Sequence, residues 1–374
     1  MIFIFLTSGL FLGWSLGAND AANVFGTAVG TKMVRFRLAA LVSAVFVVIG
    51  AVVQGSGTTN TLGDLGSVNA IAGSFTVALA AALTVFLMTR YAIPVSTSQA
   101  IVGAIVGWNF YTGHSTDYGV LVDIVLTWIV CPLLAAVFSI LLYLLLKFII
   151  IKVRIHLLRL DMLIRISLVV AGAFGAYSLG ANNIANVMGV YVPAIPINDI
   201  SIGGYFTITG TQQLFFLGGL AISAGIFTYS SKIMKTVGSQ LMQMNAEAAI
   251  VVVLSQGLVL FVFSSTALQQ FLVGLGLPAI PLVPVSSSQA VIGAILGIGL
   301  LKGAREIKTK VLGQIVAGWV ATPVITAIIT FFALFFVDNV FEQKIEDPAG
   351  NKTGITDTNP AKERFSIYYL SQEK

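Results

Sequence analysis

The stretch GANDAANV at residues 17–24 returns as GANNIANV at 180–187, and PVSTSQA at 94–100 returns as PVSSSQA at 284–290. A weaker echo pairs Trp128…Cys131-Pro132 with Trp319…Thr322-Pro323. The order is the same in both halves, so the chain is an internal duplication built around polar motifs. Apolar runs surround them, near 3–30, 38–56, 72–89, 94–110 and 120–147, and again near 166–192, 213–231, 246–263, 284–301 and 311–337. Crossing the hydrocarbon layer takes roughly 20 residues of helix. Several runs are shorter, which suits half-helices or re-entrant pieces. Each half holds five segments, and an odd number turns the second copy upside down relative to the first. That arrangement is an inverted-topology repeat, the frame of alternating access about a site near the bilayer midplane.

Composition agrees with a membrane setting. Of the 374 residues, 57% are hydrophobic and 9% charged, against about 25% charged in an ordinary soluble domain. With a mean hydropathy of +0.96, most of the surface must face lipid. The 37 glycines suit close helix packing. One cysteine, Cys131, allows no internal disulfide, and the two histidines, His114 and His156, are far apart in sequence. Residues 1–14 are apolar but lack a basic leader region, and the motif after them recurs internally, so the first segment reads as a retained helix. The net charge of +5 is explained by where the basic residues stand rather than by nucleic acid.

Of the 20 Lys and Arg, five (Lys344, Lys352, Lys362, Arg364, Lys374) lie in a polar tail from Asp338. The remaining 15 follow alternate segments: Lys32, Arg35, Arg37; Arg90; Lys147 to Arg165; Lys232, Lys235; Lys302 to Lys310. All of them therefore fall on one side, whereas the opposite loops carry Asp64, Asp117 and Asp199. The positive-inside rule makes the basic side cytoplasmic and places both termini outside. The expected organisation is a first repeat over 1–147, a basic amphipathic cytoplasmic linker over 148–165, a second repeat over 166–337 and an extracytoplasmic tail over 338–374. The fold class is all-α: a polytopic membrane protein of about 10–12 spanning or half-spanning helices.

Asp20 is the acidic residue deep in a predicted span, where a charge costs about 2.5–3.5 kcal/mol on insertion scales. Asn19 and Asn23 flank it, and Gly17 and Gly26 are expected to let the helix break there. Carboxylate and amide oxygens are hard ligands for an alkali cation. The second motif reads as a helix start: Pro suits the first turn, and Ser or Thr caps the free N–H groups. Such an end binds anions, and Ser96, Thr97, Ser98, Ser286, Ser287 and Ser288 add hydroxyl donors. Two such ends, brought in from opposite sides, enclose a tetrahedral oxyanion without a buried Lys or Arg. The plainer reading of each motif is packing for the first and an ordinary surface cap for the second; the duplication weighs against both. Arg90 reads as a cytoplasmic anchor. No nucleophile–base pair marks an enzyme.

At GANDAANVFGTAVG (17–30), GANNIANV (180–187) and the two PVS[ST]SQ motifs, the chain resembles the inorganic phosphate transporter family, over about residues 1–337. The resemblance implies secondary active uptake of phosphate coupled to sodium or protons, with Asp20, Asn23, Asn186 and the paired Ser/Thr clusters lining the site. Two departures stand out. Asn183 occupies a place where the family has Asp, and Gln99 and Gln289 stand where many relatives have His. Gln does not titrate, which favours sodium over protons. The expected phosphate ligands are Asn23, Ser96, Thr97, Ser98, Asn186, Ser286, Ser287 and Ser288. The expected sodium ligands are Asn19, Asp20, Gln99, Asn182, Asn183 and Gln289. No organic cofactor is expected, sodium is the coupling ion, and a homodimer in a prokaryotic inner membrane is compatible with this reading. The alternatives are a proton-coupled phosphate or sulfate permease of the same fold and, less favoured, an anion channel.

Overall fold

The computed structural model describes residues 2–90, 95–153, 156–203, 206–231, 234, 244–303 and 308–346. Pro94, Arg154, Lys232, Lys235, Arg305 and the tail from 347 lie outside the described residues. Twelve helices are described: α1 (Ile2–Gly30), α2 (Phe36–Gln54), α3 (Ser56–Leu65), α4 (Ile71–Arg90), α5 (Thr97–Thr112) and α6 (Tyr118–Val153) in the first half; α7 (Leu157–Met188), α8 (Gly210–Thr228), α9 (Ala246–Val262), α10 (Thr266–Gly274), α11 (Ser287–Leu301) and α12 (Thr309–Asn339) in the second. A small antiparallel hairpin, Ile200–Ile202 against Phe206–Ile208, precedes α8. Seven helices are long and apolar enough to cross a membrane, or eight if the α9–α10 pair, bent by 69°, is one span. The chain is a multi-pass membrane protein.

The helices sort by how much of them is covered. The apolar windows of α6 and α12 are only 17% and 22% buried, whereas that of α4 is 61% buried. Leu126, Ile129, Leu133 and Val137 on α6, and Val320, Val324, Ile328 and Phe332 on α12, lie exposed. A helix that is apolar all round and half uncovered has lipid as its solvent. Inside this belt sit α5 and α11, whose residues from Thr97 to Ile105 and from Ser287 to Ile295 are all buried. At 16 and 15 residues they reach about 24 and 22 Å, short of the roughly 30 Å hydrocarbon layer.

The packing is duplicated across the halves. α5 lies against α12 and α11 against α6, while α1 lies against α8 and α7 against α2. Gly103 of α5 faces the carbonyl of Pro323 in α12, and Gly293 of α11 faces that of Pro132 in α6; a Cβ at either glycine would collide with backbone. Gly17 meets Ile222 and Gly180 meets Val47 in the same way. Each half is thus closed by helices of the other.

Three expectations are corrected. Residues 148–165 are not a separate linker: α6 runs on to Val153 and α7 starts at Leu157. The Leu and Ile residues between the basic ones keep both helices going. α1 does not break at Gly17 and Gly26; it is one helix from Ile2 to Gly30, and Gly17 instead permits close approach to α8. The tail does not begin at 338, because α12 continues to Asn339. The next residues fold back: Ile345 is buried, Trp108 Nε1 donates to its carbonyl at 3.4 Å, and His114 Nε2 lies 3.1 Å from Glu346 Oε1. The stretch 264–283, open in the sequence, is the short helix α10 followed by a turn and chain without regular secondary structure.

Candidate functional site

The two PVS[ST]SQ segments become capped helix starts. Ser96 adopts an extended backbone, and its Oγ accepts from Gln99 N at 3.3 Å; Ser286 does the same for Gln289 N at 3.2 Å. A helix leaves its first N–H groups without intrahelical partners, so each start presents open donors and the positive end of the helix dipole. The two starts face each other. Ser98 Oγ donates to the Val285 carbonyl at 3.0 Å, and Ser288 Oγ donates to the Val95 carbonyl at 3.2 Å. These are caps in the centre of the molecule, since all six Ser/Thr side chains are buried.

The first motifs supply the walls. Asn19, Asp20 and Asn23 lie on α1, and Asn182, Asn183 and Asn186 lie on α7, at the i, i+3 and i+4 spacings that share one helix face. Asn182 uses both amide atoms on the second helix start: Nδ2 donates to Val283 O at 3.0 Å and Oδ1 accepts from Val285 N at 2.8 Å. Asn19 Nδ2 has a looser version, to Val95 O at 3.4 Å, and also donates to Asp20 Oδ1 at 3.3 Å. Irregular backbone at membrane depth is tolerated where protein satisfies it, and these amides do so. Valines 95, 283 and 285 contribute through their carbonyls and N–H groups, and no residue-type signal in the sequence marks them.

The motif helices also reach across. Thr97 Oγ1 donates to Asp20 Oδ2 at 2.7 Å, and Asn23 Nδ2 donates to Ser287 Oγ at 3.2 Å. On the other side Asn183 Oδ1 accepts from Asn186 Nδ2 at 2.9 Å and lies 3.2 Å from Ser98 Oγ, whose one hydrogen it shares with the Val285 carbonyl, while Asn186 Nδ2 also donates to Ser98 Oγ at 2.9 Å. The structure places all fourteen expected site residues on the two helix starts and the two motif helices packed against them, all buried except Asn19, which is half-buried. Asp20 is the only charged side chain among the buried described residues. Arg90, at the end of α4, is exposed. Four polar atoms of the site have no partner: Gln99 Oε1, Gln289 Oε1, Asn186 Oδ1 and Asn183 Nδ2. A cavity of about 10 Å³, room for about one water, lies one turn from Asn19, lined by Trp14, Ser15, Ala18, Phe86, Thr89 and Tyr229.

A paired set of buried helix ends beside a single carboxylate suits an oxyanion and a cation bound together. The model of the phosphate transporter family matches residues 16–163, 156–330 and 278–353. The chain belongs to the phosphate transporter family. Members of this family are transporters and not enzymes, and relatives match the chain over most of its length. The Methanocaldococcus jannaschii protein named "Putative phosphate permease" is 28% identical over 87% of this chain and 94% of its own. The Bacillus subtilis protein named "Sulfate permease CysP" is also 28% identical, over 86% of this chain and 84% of its own. A solved structure titled "The sodium-dependent phosphate transporter" shares the fold, with a TM-score of 0.70 at 21% identity over 90% of this chain and 98% of that one.

Proposed function

We propose that this family member imports inorganic phosphate together with sodium, by alternating access between its two halves. The observation that carries the reading is the meeting of two capped helix starts, α5 and α11, in a buried site whose one fixed charge is Asp20. Phosphate at neutral pH brings one to two negative charges, and a low-dielectric site with a carboxylate does not accept them uncompensated. No Lys or Arg is buried among the described residues, so cations must enter with the anion. Asp20 and Asn19, with the unpartnered oxygens of Gln99 and Gln289, are the proposed sodium ligands. The Ser/Thr side chains of both helix starts, Asn23 and Asn186 are the proposed phosphate ligands. Asn182, with both amide atoms engaged, acts by holding the second helix start in place. Asn183, expected as a sodium ligand, is left out of that set because its oxygen already accepts from Asn186 and shares the Ser98 hydrogen.

The duplicated packing supports an inverted repeat, with the basic loops cytoplasmic. Arg165 on α7 donates to Met33 O at 2.8 Å, which puts the loop after α1 and the start of α7 on one face. Ser67 and Thr309 are both exposed and lie on opposite faces in this scheme. With Cys131 replaced by alanine, an impermeant thiol reagent applied outside cells should label Ser67→Cys and spare Thr309→Cys. Labelling of position 309 alone would reverse the orientation.

Sulfate is the second reading, favoured by the Bacillus subtilis relative named as a sulfate permease. Proteoliposomes given labelled phosphate or labelled sulfate, with and without an inward sodium gradient, separate the readings. The proposal requires phosphate to accumulate above its outside concentration only with the gradient. Sulfate accumulation without phosphate accumulation supports the second reading, and equal uptake with no gradient dependence supports a channel.

A further inference from the structure

We infer that Asn183 and Asn186 form a donor–acceptor pair that reads the proton on the anion, selecting hydrogen phosphate over sulfate; the inference rests on the transport reading above. The two residues lie one turn apart on α7 and both are fully buried. They share one hydrogen bond, Asn186 Nδ2 to Asn183 Oδ1 at 2.9 Å, and both hold Ser98 Oγ at the start of α5. That mutual bond fixes which atoms are left over. Asn183 keeps a free N–H donor, and Asn186 keeps a free carbonyl acceptor. Ser98 Oγ beside them donates to Val285 O, and Asn182 is engaged at both amide atoms. The other two unpartnered atoms of the site, Gln99 Oε1 and Gln289 Oε1, are both acceptors, so Asn183 Nδ2 is the one unpartnered side-chain donor there.

A buried amide group without a partner is costly, and two of opposite character side by side specify what completes them. The completing ligand offers one acceptor and one donor within a single small group. A protonated oxyanion does so: an ionised oxygen accepts from Asn183 Nδ2, and a P–OH donates to Asn186 Oδ1. Sulfate carries no proton in neutral water, so one of its oxygens faces the Asn186 carbonyl, lone pair against lone pair. Sites that hydrogen-bond a specific hydroxyl reject analogues without it far more strongly than apolar pockets reject a size change.

The equivalent place in the first half has other chemistry. Asp20 stands where Asn183 stands and has no N–H to give, and Asn23 donates to Ser287 Oγ. Proton reading is therefore confined to the second half, and charge holding to the first.

The test is competition between sulfate and labelled phosphate for sodium-driven uptake into proteoliposomes, with saturable phosphate binding counted to measure intact protein. For the wild type, sulfate should compete only at about 100-fold or more above the phosphate half-saturation concentration. Asn186→Leu removes the acceptor, and the preference for phosphate should fall at least about tenfold per binding-competent molecule. Asn183→Asp replaces the donor by a second acceptor, and the preference should rise, even as phosphate binds less tightly. The two variants move the ratio in opposite directions, which a purely structural role would not do. Should Asn186→Leu fail to fold, Asn183→Asp and Asn186→Asp, which keeps an acceptor, still decide. Ratios unchanged from wild type in both, with phosphate uptake retained, would overturn the inference. A wild-type protein that accumulates neither anion, or prefers sulfate, would overturn the phosphate reading beneath it.

Discussion

The two halves of the site are copies that agree in backbone and differ in charge. In the second half, Asn182 clamps the chain entering α11 through two hydrogen bonds of 3.0 and 2.8 Å. In the first, Asn19 holds the equivalent chain by one bond of 3.4 Å and is half-buried. The helix caps at Ser96 and Ser286 match in geometry, as do the crossed bonds from Ser98 and Ser288. Asp20 and Asn183 do not match. A carboxylate in one copy and an amide in the other leaves a single fixed negative charge in a site built twice. The caps and crossed bonds, whose loss would strand polar groups in a dry interior, are alike in the two halves, whereas the asparagine clamp and the charge differ.

The largest effect should come from the packing both halves share. Gly103→Val and Gly293→Val each drive a side chain into a proline carbonyl of the opposing helix, and overpacking of this kind costs about 1–3 kcal/mol or more. Both variants should lose most of their monodisperse protein on detergent extraction. A severe loss at one glycine with none at the other would break the equivalence of the α5–α12 and α11–α6 contacts.

A smaller effect should separate the two helix starts. Thr97 Oγ1 makes a 2.7 Å bond to the Asp20 carboxylate, whereas Ser287, which makes a weaker bond to the same carboxylate, also accepts from the neutral amide of Asn23 at 3.2 Å. Hydrogen bonds to charged groups contribute roughly 1.5–3 kcal/mol and neutral ones about 0.5–1.5. Thr97→Ala should raise the sodium concentration for half-maximal uptake about tenfold, and Ser287→Ala should raise it by less than about fivefold. Equal shifts would mean that the cation is shared between the halves rather than held by the first.

Much of this was legible in the sequence because the duplicated motifs are polar islands in apolar sequence. Ser followed three residues later by Gln spells a capped helix start, and both starts formed with Ser96 and Ser286 as the caps; Pro284, expected in the first turn, stands instead two residues before its cap. The long spans followed from length and apolarity. The glycines misled: in a membrane a helical glycine serves close approach as readily as a break, and Gly17 does the former. The helix α3 was hidden because its sequence, SGTTNTLGDL, is polar and glycine-bearing, and the three-residue strands at 200–208 are too short to show a period. The basic stretch 147–165 carries the charge of a surface link, yet its apolar residues continue the helix and α6 runs through Phe148 to Val153. No pattern in the sequence showed that Asn183 and Asn186 bond to each other, because that depends on the rotamers chosen in a shared hydrogen-bond network.

In the proposed mechanism Asp20 is the one fixed charge that brings sodium to the anion. Asp20→Asn keeps the size and hydrogen-bonding capacity of the side chain and removes the charge. Sodium-driven phosphate uptake in proteoliposomes should be abolished while the variant remains inserted and folded, and sodium should no longer protect it against thermal unfolding, since ligand stabilisation follows affinity. A curve of uptake against sodium concentration for Asp20→Asn that superimposes on the wild-type curve would contradict the account.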